Sequence, residues 1–221
     1  MQENRKKSCY NFYFFFNLRR LKTNISAKSG GYILFFIYNY QFLIMKNNDK
    51  IAAFDYMLQL IEEWRIDYFT SKNLTVKPLS KLIVLKLLFL IAAPKKNDGP
   101  DLLDTFNNFY ALPYGPVESD IYNAILENKI PSYIIKDRSV EVKDKKVYNT
   151  KDSLCVKIKK ALDDLKNINP SIISLNSFEL VEITHKWDSW NRSMKFAEFM
   201  GHSSAKMLTE SIRSDSNKCF K

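Results

Sequence analysis

The chain has 221 residues, of which 46% are hydrophobic and 26% charged, with only 5 Gly and 7 Pro. Those proportions exclude wholesale disorder, a collagen-like repeat and a disulfide scaffold, and leave one domain of ordinary size with an appendage as the starting expectation. Thirty-four Lys and Arg against 24 Asp and Glu give a net charge of +10, which points to a polyanionic partner only if the charge belongs to the folded part.

It does not. Residues 1–44 hold seven basic side chains against the single acid Glu3, a net of +6, together with 12 of the 31 aromatics. Residues 45–221 carry the remaining +4. The first segment fits a signal peptide poorly, because the apolar run Phe12–Phe16 is interrupted at once by Asn17, Arg19 and Arg20. It fits a membrane span poorly as well: Tyr32–Met45 offers fourteen residues, Asn39 and Gln41 among them, where about 20 apolar ones are needed. Cations beside aromatics would suit a peripheral membrane anchor. The reading adopted is a start at Met45, with 1–44 an aromatic and basic leader outside the fold and 45–221 a single domain. The Phe, Tyr, Asn, Lys and Ile of the leader match a translated A/T-rich upstream region, and no function is derived from it.

From Asp49 the apolar positions Ile51, Phe54, Met57, Leu58, Ile61 and Trp64 recur at helical spacing, predicting an amphipathic helix to about Tyr68. Lys77-Pro78-Leu79-Ser80 opens a second helix, Leu79 to Ala93, which is apolar on nearly every side and is therefore expected in the core. Pro94 ends it, and KKNDGP follows as a loop. A short amphipathic piece, LLDTFNNFYAL, leads to a tight turn at Pro113-Tyr114-Gly115-Pro116. Pro116 is expected in the first turn of a helix carrying Val117, Ile121, Ile125 and Leu126, with Glu118 and Asp120 at its positive end.

Residues 133–150 change period: Val140 and Val142 alternate with charges and read as a solvent-facing β-hairpin, expected to be the one small sheet of the chain. A third long helix follows over Ser153–Asn167. Ser177 is the expected cap of a helix starting at Phe178, and the last thirty residues suggest short helices, including Lys206 to Arg213. The fold class is mainly α (α+β), a compact helical domain with one small hairpin.

Chemistry-bearing patterns are sparse. The two histidines, His185 and His202, stand in no metal-ligand spacing, and no nucleophile elbow, Walker loop or dinucleotide fingerprint occurs. Cys9, Cys155 and Cys219 are odd in number and far apart, so neither a disulfide framework nor a zinc site is expected, and the compartment is a reducing cytoplasm. No cofactor, no metal and no catalytic residue is assigned. The lysines of residues 45–221 form no basic stripe, so direct nucleic-acid binding is not expected; KKND and KDKK read as solvated loops.

The segment THKWDSWNRS sets Trp187 and Trp190 three residues apart, flanked by His185, Asp188 and Arg192. Trp and Arg are enriched at binding hot spots, and two Trp at helical spacing equally well close a core, so both readings stay open. The turn at Tyr114–Val117 is open in the same way between recognition and a simple helix start.

Together with the buried helix KLIVLKLLFLIAA, these segments resemble the SocA-like antitoxin family, or Panacea domain, of bacteria and phages. The YGPV signature is carried by Tyr114, Gly115, Pro116 and Val117, and the late Thr-His pattern by Thr184 and His185, with the WDSW extension of Trp187, Asp188 and Trp190 before Arg192. The resemblance covers about Asp49 to Arg192. Ile183 departs from the common Leu before Thr-His, and a tryptophan stands where many members continue with Ser or Thr and a proline.

The resemblance implies a non-enzymatic, cytoplasmic, phage-associated antitoxin of a toxin–antitoxin system, neutralising a neighbouring-gene toxin by direct protein–protein binding. Members are paired with many unrelated toxins, so this toxin is not named by it. An adaptor that delivers a bound protein to an energy-dependent protease is the alternative, and no stable membrane insertion is expected.

Overall fold

A computed structural model describes residues 30–96 and 99–221, with side chains from Asn48 onward. The leader reading for residues 1–29, with Cys9, lies outside the described residues. In chain order the elements are helix α1 (Gly30–Ser71), α2 (Lys81–Ala92), strands β1 (Phe109–Leu112) and β2 (Gly115–Glu118), α3 (Ser119–Leu126), β3 (Tyr133–Ile135), β4 (Val140–Val142), α4 (Ser153–Ile168), a 3-10 turn (Ile172–Ser174), α5 (Ser177–His185), α6 (Asp188–Phe199), β5 (Ala205–Lys206) and α7 (Thr209–Arg213). The fold is mainly helical with a small β part, as expected. Contacts divide the chain between Lys46 and Asn47, and the unit Asn47–Lys221 holds the hydrophobic core. Among the described residues no helix is long and apolar enough to cross a membrane.

α1 begins upstream of the expected Asp49 because no proline interrupts the chain between Gly30 and Ser71, and Asn47-Asn48-Asp49 are weak helix formers, not breakers. Its face Phe54, Met57, Leu58 and Ile61 is completely buried. It ends in a left-handed Asn73 (φ 53°), with Leu74 N–H bonded back to Phe69 O at 2.9 Å, the backbone pattern of a Schellman cap.

α2 is the central element. Val84, Leu87, Leu88, Phe89, Leu90 and Ile91 are all at 0% exposure, and it packs against β2, α4 and α5. Burying such a side chain contributes about 1.5–3 kcal/mol, so this helix anchors the core. Ser80 caps its start by accepting from Ile83 N–H at 3.3 Å. Its end is closed by Lys95, whose Nζ donates to the carbonyls of Leu90, Ile91 and Ala93 at 2.7–2.8 Å. Lys95 is therefore no solvated loop residue: its amine satisfies carbonyls that the helix end leaves orphaned. The KDKK segment is exposed, as expected of a solvated loop, with Lys143 donating to Ile130 O at 2.7 Å and Lys145 paired with Glu62 at 2.8 Å.

The expected hairpin is present as β3–β4, with Tyr133 opposite Val142 and Ile135 opposite Val140. It is not the only sheet. A three-stranded antiparallel sheet in the order β2-β1-β5 was not legible, because its strands are two to four residues long, too short for alternation to stand out. Pro116 accordingly lies in β2, an edge strand that tolerates its missing N–H, and the following helix starts at Ser119 with Glu118 as its cap. α5 is capped by Asn176 in a capping box with Glu179, one residue ahead of the expected Ser177. Lys206 belongs to β5, so the last helix is confined to Thr209–Arg213.

Two buried carboxylates tie α1 to the rest. Asp55, at 0% exposure, accepts from Ser132 N–H at 2.8 Å, Ser132 Oγ at 2.6 Å and Tyr148 OH at 2.7 Å. Glu118, also at 0%, accepts from Lys50 Nζ at 2.7 Å, Asn108 N–H at 3.2 Å and Ile121 N–H at 2.9 Å. Lys50 also pairs with Asp120 and donates to Asn107 at 3.1 Å, so losing Glu118 leaves the ammonium partnered and strands instead the buried N–H of Ile121, at about 1–3 kcal/mol. Glu118→Ala is therefore expected to lower unfolding free energy by that order in urea titrations, while breaking the exposed Lys159–Asp163 pair costs about 0.5 kcal/mol or less.

Candidate functional site

The sequence-selected segments meet where α2, β2, α5 and α6 converge. Lys86 projects from α2 at 0% exposure and donates to the Pro116 carbonyl at 2.7 Å. Burial pushes its amine down to about 7. Gly115 has φ +90°, and a Cβ at that position would lie 2.5 Å from Thr184 Oγ1 and 3.1 Å from Lys86 Nζ. Only glycine meets both demands, a left-handed backbone and direct contact with two neighbouring elements. Thr184, at 0% exposure, donates within its own helix to Val181 O at 2.9 Å.

His185 stacks face to face on Trp190, with ring centroids 3.8 Å apart and planes 10° apart. Its ring hydrogen-bonds to the Pro113 backbone, while burial is the main cause that holds its pKa below the usual histidine range, with Lys86 adding to the effect and Glu182 opposing it. Nε2 of His185 is buried without a hydrogen-bond partner. Trp190 donates from Nε1 to Leu112 O at 3.0 Å. The two residues thus hold the β1 side of the β1–β2 turn from α5 and α6.

Trp187 is a core residue. It is at 0% exposure, donates to Cys219 O at 2.9 Å, and sits edge-on to Phe89 and Phe220 at 5.0 and 5.5 Å, geometry typical of packed aromatic pairs. Asp188 opens α6; its N–H and that of Ser189 donate to the buried Asp215 at 3.3 and 2.6 Å, and its own carboxylate accepts from Ser216 at 2.6 Å. Val117 is buried at 8%. Of the sequence-selected residues, Tyr114, at 64% exposure, and Arg192 face solvent.

The structure therefore gathers Gly115, Pro116, Thr184, His185 and Trp190 around one residue not singled out in the sequence, Lys86. The signal for it was present, a lone cation in the middle of a helix apolar on nearly every side. With Lys86 and Thr184 out of solvent contact, the cluster can act as a latch that fixes the β1–β2 turn to three helices. Among the described residues no group of three or more His, Cys, Asp or Glu is placed to hold a metal ion.

Residues 84–191 match the family model described as Antitoxin SocA-like, Panacea domain. Over those residues the chain is similar to the Panacea domain. The match starts in α2 and ends in α6, so the whole latch, from Lys86 to Trp190, lies inside it. Comparison with curated proteins and with solved structures gives no match.

Two outcomes test the latch. Gly115→Ala is expected to cost about 1–3 kcal/mol from backbone strain alone, and Thr184→Ala in the same chain should recover the part due to the Thr184 clash; strict additivity in a double-mutant cycle would contradict the contact. The second concerns pH. A lysine whose folded pKa, about 7 for Lys86, lies below its unfolded value binds fewer protons folded than unfolded across that interval, so stability rises with pH there. Urea unfolding between pH 7 and about 9.5, below ordinary tyrosine ionisation, should show that rise. Lys95, also lowered to about 7 by burial, contributes in the same sense, so Lys86→Met should remove part of the slope and leave the rest.

Proposed function

We propose that the chain is an antitoxin which neutralises the toxin of a neighbouring gene by binding it directly, in the cytoplasm and without catalysis. The observation that carries this reading is the match of residues 84–191 to a family described as SocA-like antitoxins. A second feature supports a protein partner. On the outer side of α6, Phe196 is 60% exposed and Phe199 86%, with Met200 at 51% immediately after the helix. Positions 196, 199 and 200 fall on one helical face, with the exposed Arg192 one turn before them. An apolar ridge edged by a guanidinium has the composition of a binding hot spot. The near-balanced charge of residues 45–221 favours such a partner over a polyanion.

In this reading the latch residues Lys86, Gly115, Thr184, His185 and Trp190 position α6 and the β1–β2 turn, Trp187 secures α6 from the core, and Tyr114, Arg192 and the phenylalanines make contact. Co-expression with the adjacent open reading frame should restore growth and yield a co-purifying complex; neither rescue nor complex would sink the proposal. Phe196→Glu with Phe199→Glu should abolish rescue and co-purification while leaving the thermal midpoint within a few degrees, because both rings are solvent-facing. Partner half-life measured with and without the chain separates direct masking, which leaves it unchanged or longer, from delivery to a protease, which shortens it.

A further inference from the structure

A second site lies away from the latch. The C-terminal part of α1, the segment 77–83, the turn after β3 and the start of α5 enclose a cavity of about 430 Å³, within the size range of small-ligand pockets. Three cations line it, Arg65, Lys77 and Arg138. Asp137 is the one acid on its wall, and it is engaged by Lys81 at 2.6 Å. Nε and Nη1 of Arg65 are buried and have no hydrogen-bond partner. Among the described residues neither Arg65, Lys77 nor Arg138 makes an ion pair.

That arrangement is costly for folding alone. A buried donor without an acceptor forfeits the hydrogen bonds it had in water, and the penalty is larger for a charged group. Ser80, Ser174, Asn176 and Ser177 share the wall with apolar residues such as Phe69 and Ile173, and none of them accepts from Nε or Nη1 of Arg65. The amides at the start of α5 add little, since those of Phe178 and Glu179 already bond to Asn176 Oδ1 at 2.9 and 3.1 Å. Glu62 offsets part of the Arg65 charge and Asp137 part of that of Arg138, but neither accepts from the buried Nε and Nη1 of Arg65, and a planar guanidinium matches a carboxylate or phosphate through two parallel hydrogen bonds.

We infer that this cavity binds an oxyanion, a phosphate or carboxylate carried on a small apolar body, with Arg65 as the central ligand group and Lys77 and Arg138 completing the charge. The inference is independent of the antitoxin reading. The apolar walls take the body of the ligand, and the three cations face its charged end.

The probes are phenyl phosphate, benzoate and, as the neutral counterpart, benzamide, titrated into the full chain while the Arg65 Nε–H resonance is followed by NMR. Saturable shifts with an anionic probe and none with benzamide are expected, and whichever anion binds more tightly identifies the source as a phosphorylated or a carboxylate ligand. Arg65→Met and Arg138→Ala, followed through backbone amides lining the cavity, should each weaken the preferred probe by roughly tenfold or more, the value of one charge-assisted contact. Arg65→Met should also leave the thermal midpoint unchanged or raised, because it removes two buried N–H donors that have no acceptor. If that variant does not fold, the solvent-facing Arg138→Ala decides alone. Absence of saturable binding by both anions, equal binding of benzamide, or undiminished affinity in the folded variants overturns the inference.

Discussion

The fold turns on one close approach. The β2 backbone passes Gly115 so near to Thr184 and Lys86 that no Cβ fits, and there the Lys86 amine, sealed from water, finds the Pro116 carbonyl at 2.7 Å. Taking an ammonium out of water is expensive, and the protein lowers that cost by bringing the amine to about 7. The pieces are mutually dependent: the hydrogen bond exists because the strand comes close, and the strand comes close because residue 115 is glycine. The stacked His185–Trp190 pair, through Pro113 and Leu112, then fixes the turn from its β1 side.

Around this point the core is apolar and unspecific, and the buried polar groups select its geometry. Asp55 joins α1 to Ser132 and Tyr148, Glu118 joins Lys50 to the start of α3, and Asp215 holds the first turn of α6. Each carboxylate accepts from at least one backbone N–H, so a slip of the helix or strand by one residue would strand several donors at once. Hydrophobic burial drives the collapse, and these groups penalise the alternatives.

The long helices α1 and α4 were legible from periodicity because each offers three or more turns of repeated pattern, as with Phe54, Met57, Leu58 and Ile61 on α1. The hairpin at 133–142 was legible through Val140 and Val142. The β2-β1-β5 sheet was hidden for a physical reason: four-residue strands, one containing proline, carry no alternation that a helix start would not also explain. Lys86 and Lys95 were missed for the opposite reason, since lysine is ordinarily a solvent residue, and only the tertiary fold shows which carbonyls await them. The Trp187–Trp190 pair looked alike in sequence and differs in structure, one ring sealed between Phe89 and Phe220, the other spanning a half-buried junction.

The division of labour between buried and exposed residues bears on how a fold of this kind could present different surfaces to different partners. The family match ends at residue 191, inside α6, and within it the residues that resemble the family pattern are mostly held in the latch, where their neighbours dictate their identity. Phe196, Phe199 and Met200 lie beyond that boundary and are each more than half exposed, so packing constrains them less. A scaffold built this way can keep its turn and helices in register while the outer side of α6 changes freely. Replacing those three residues costs the fold little, because their side chains are already largely in water, and changes the surface offered to a partner completely.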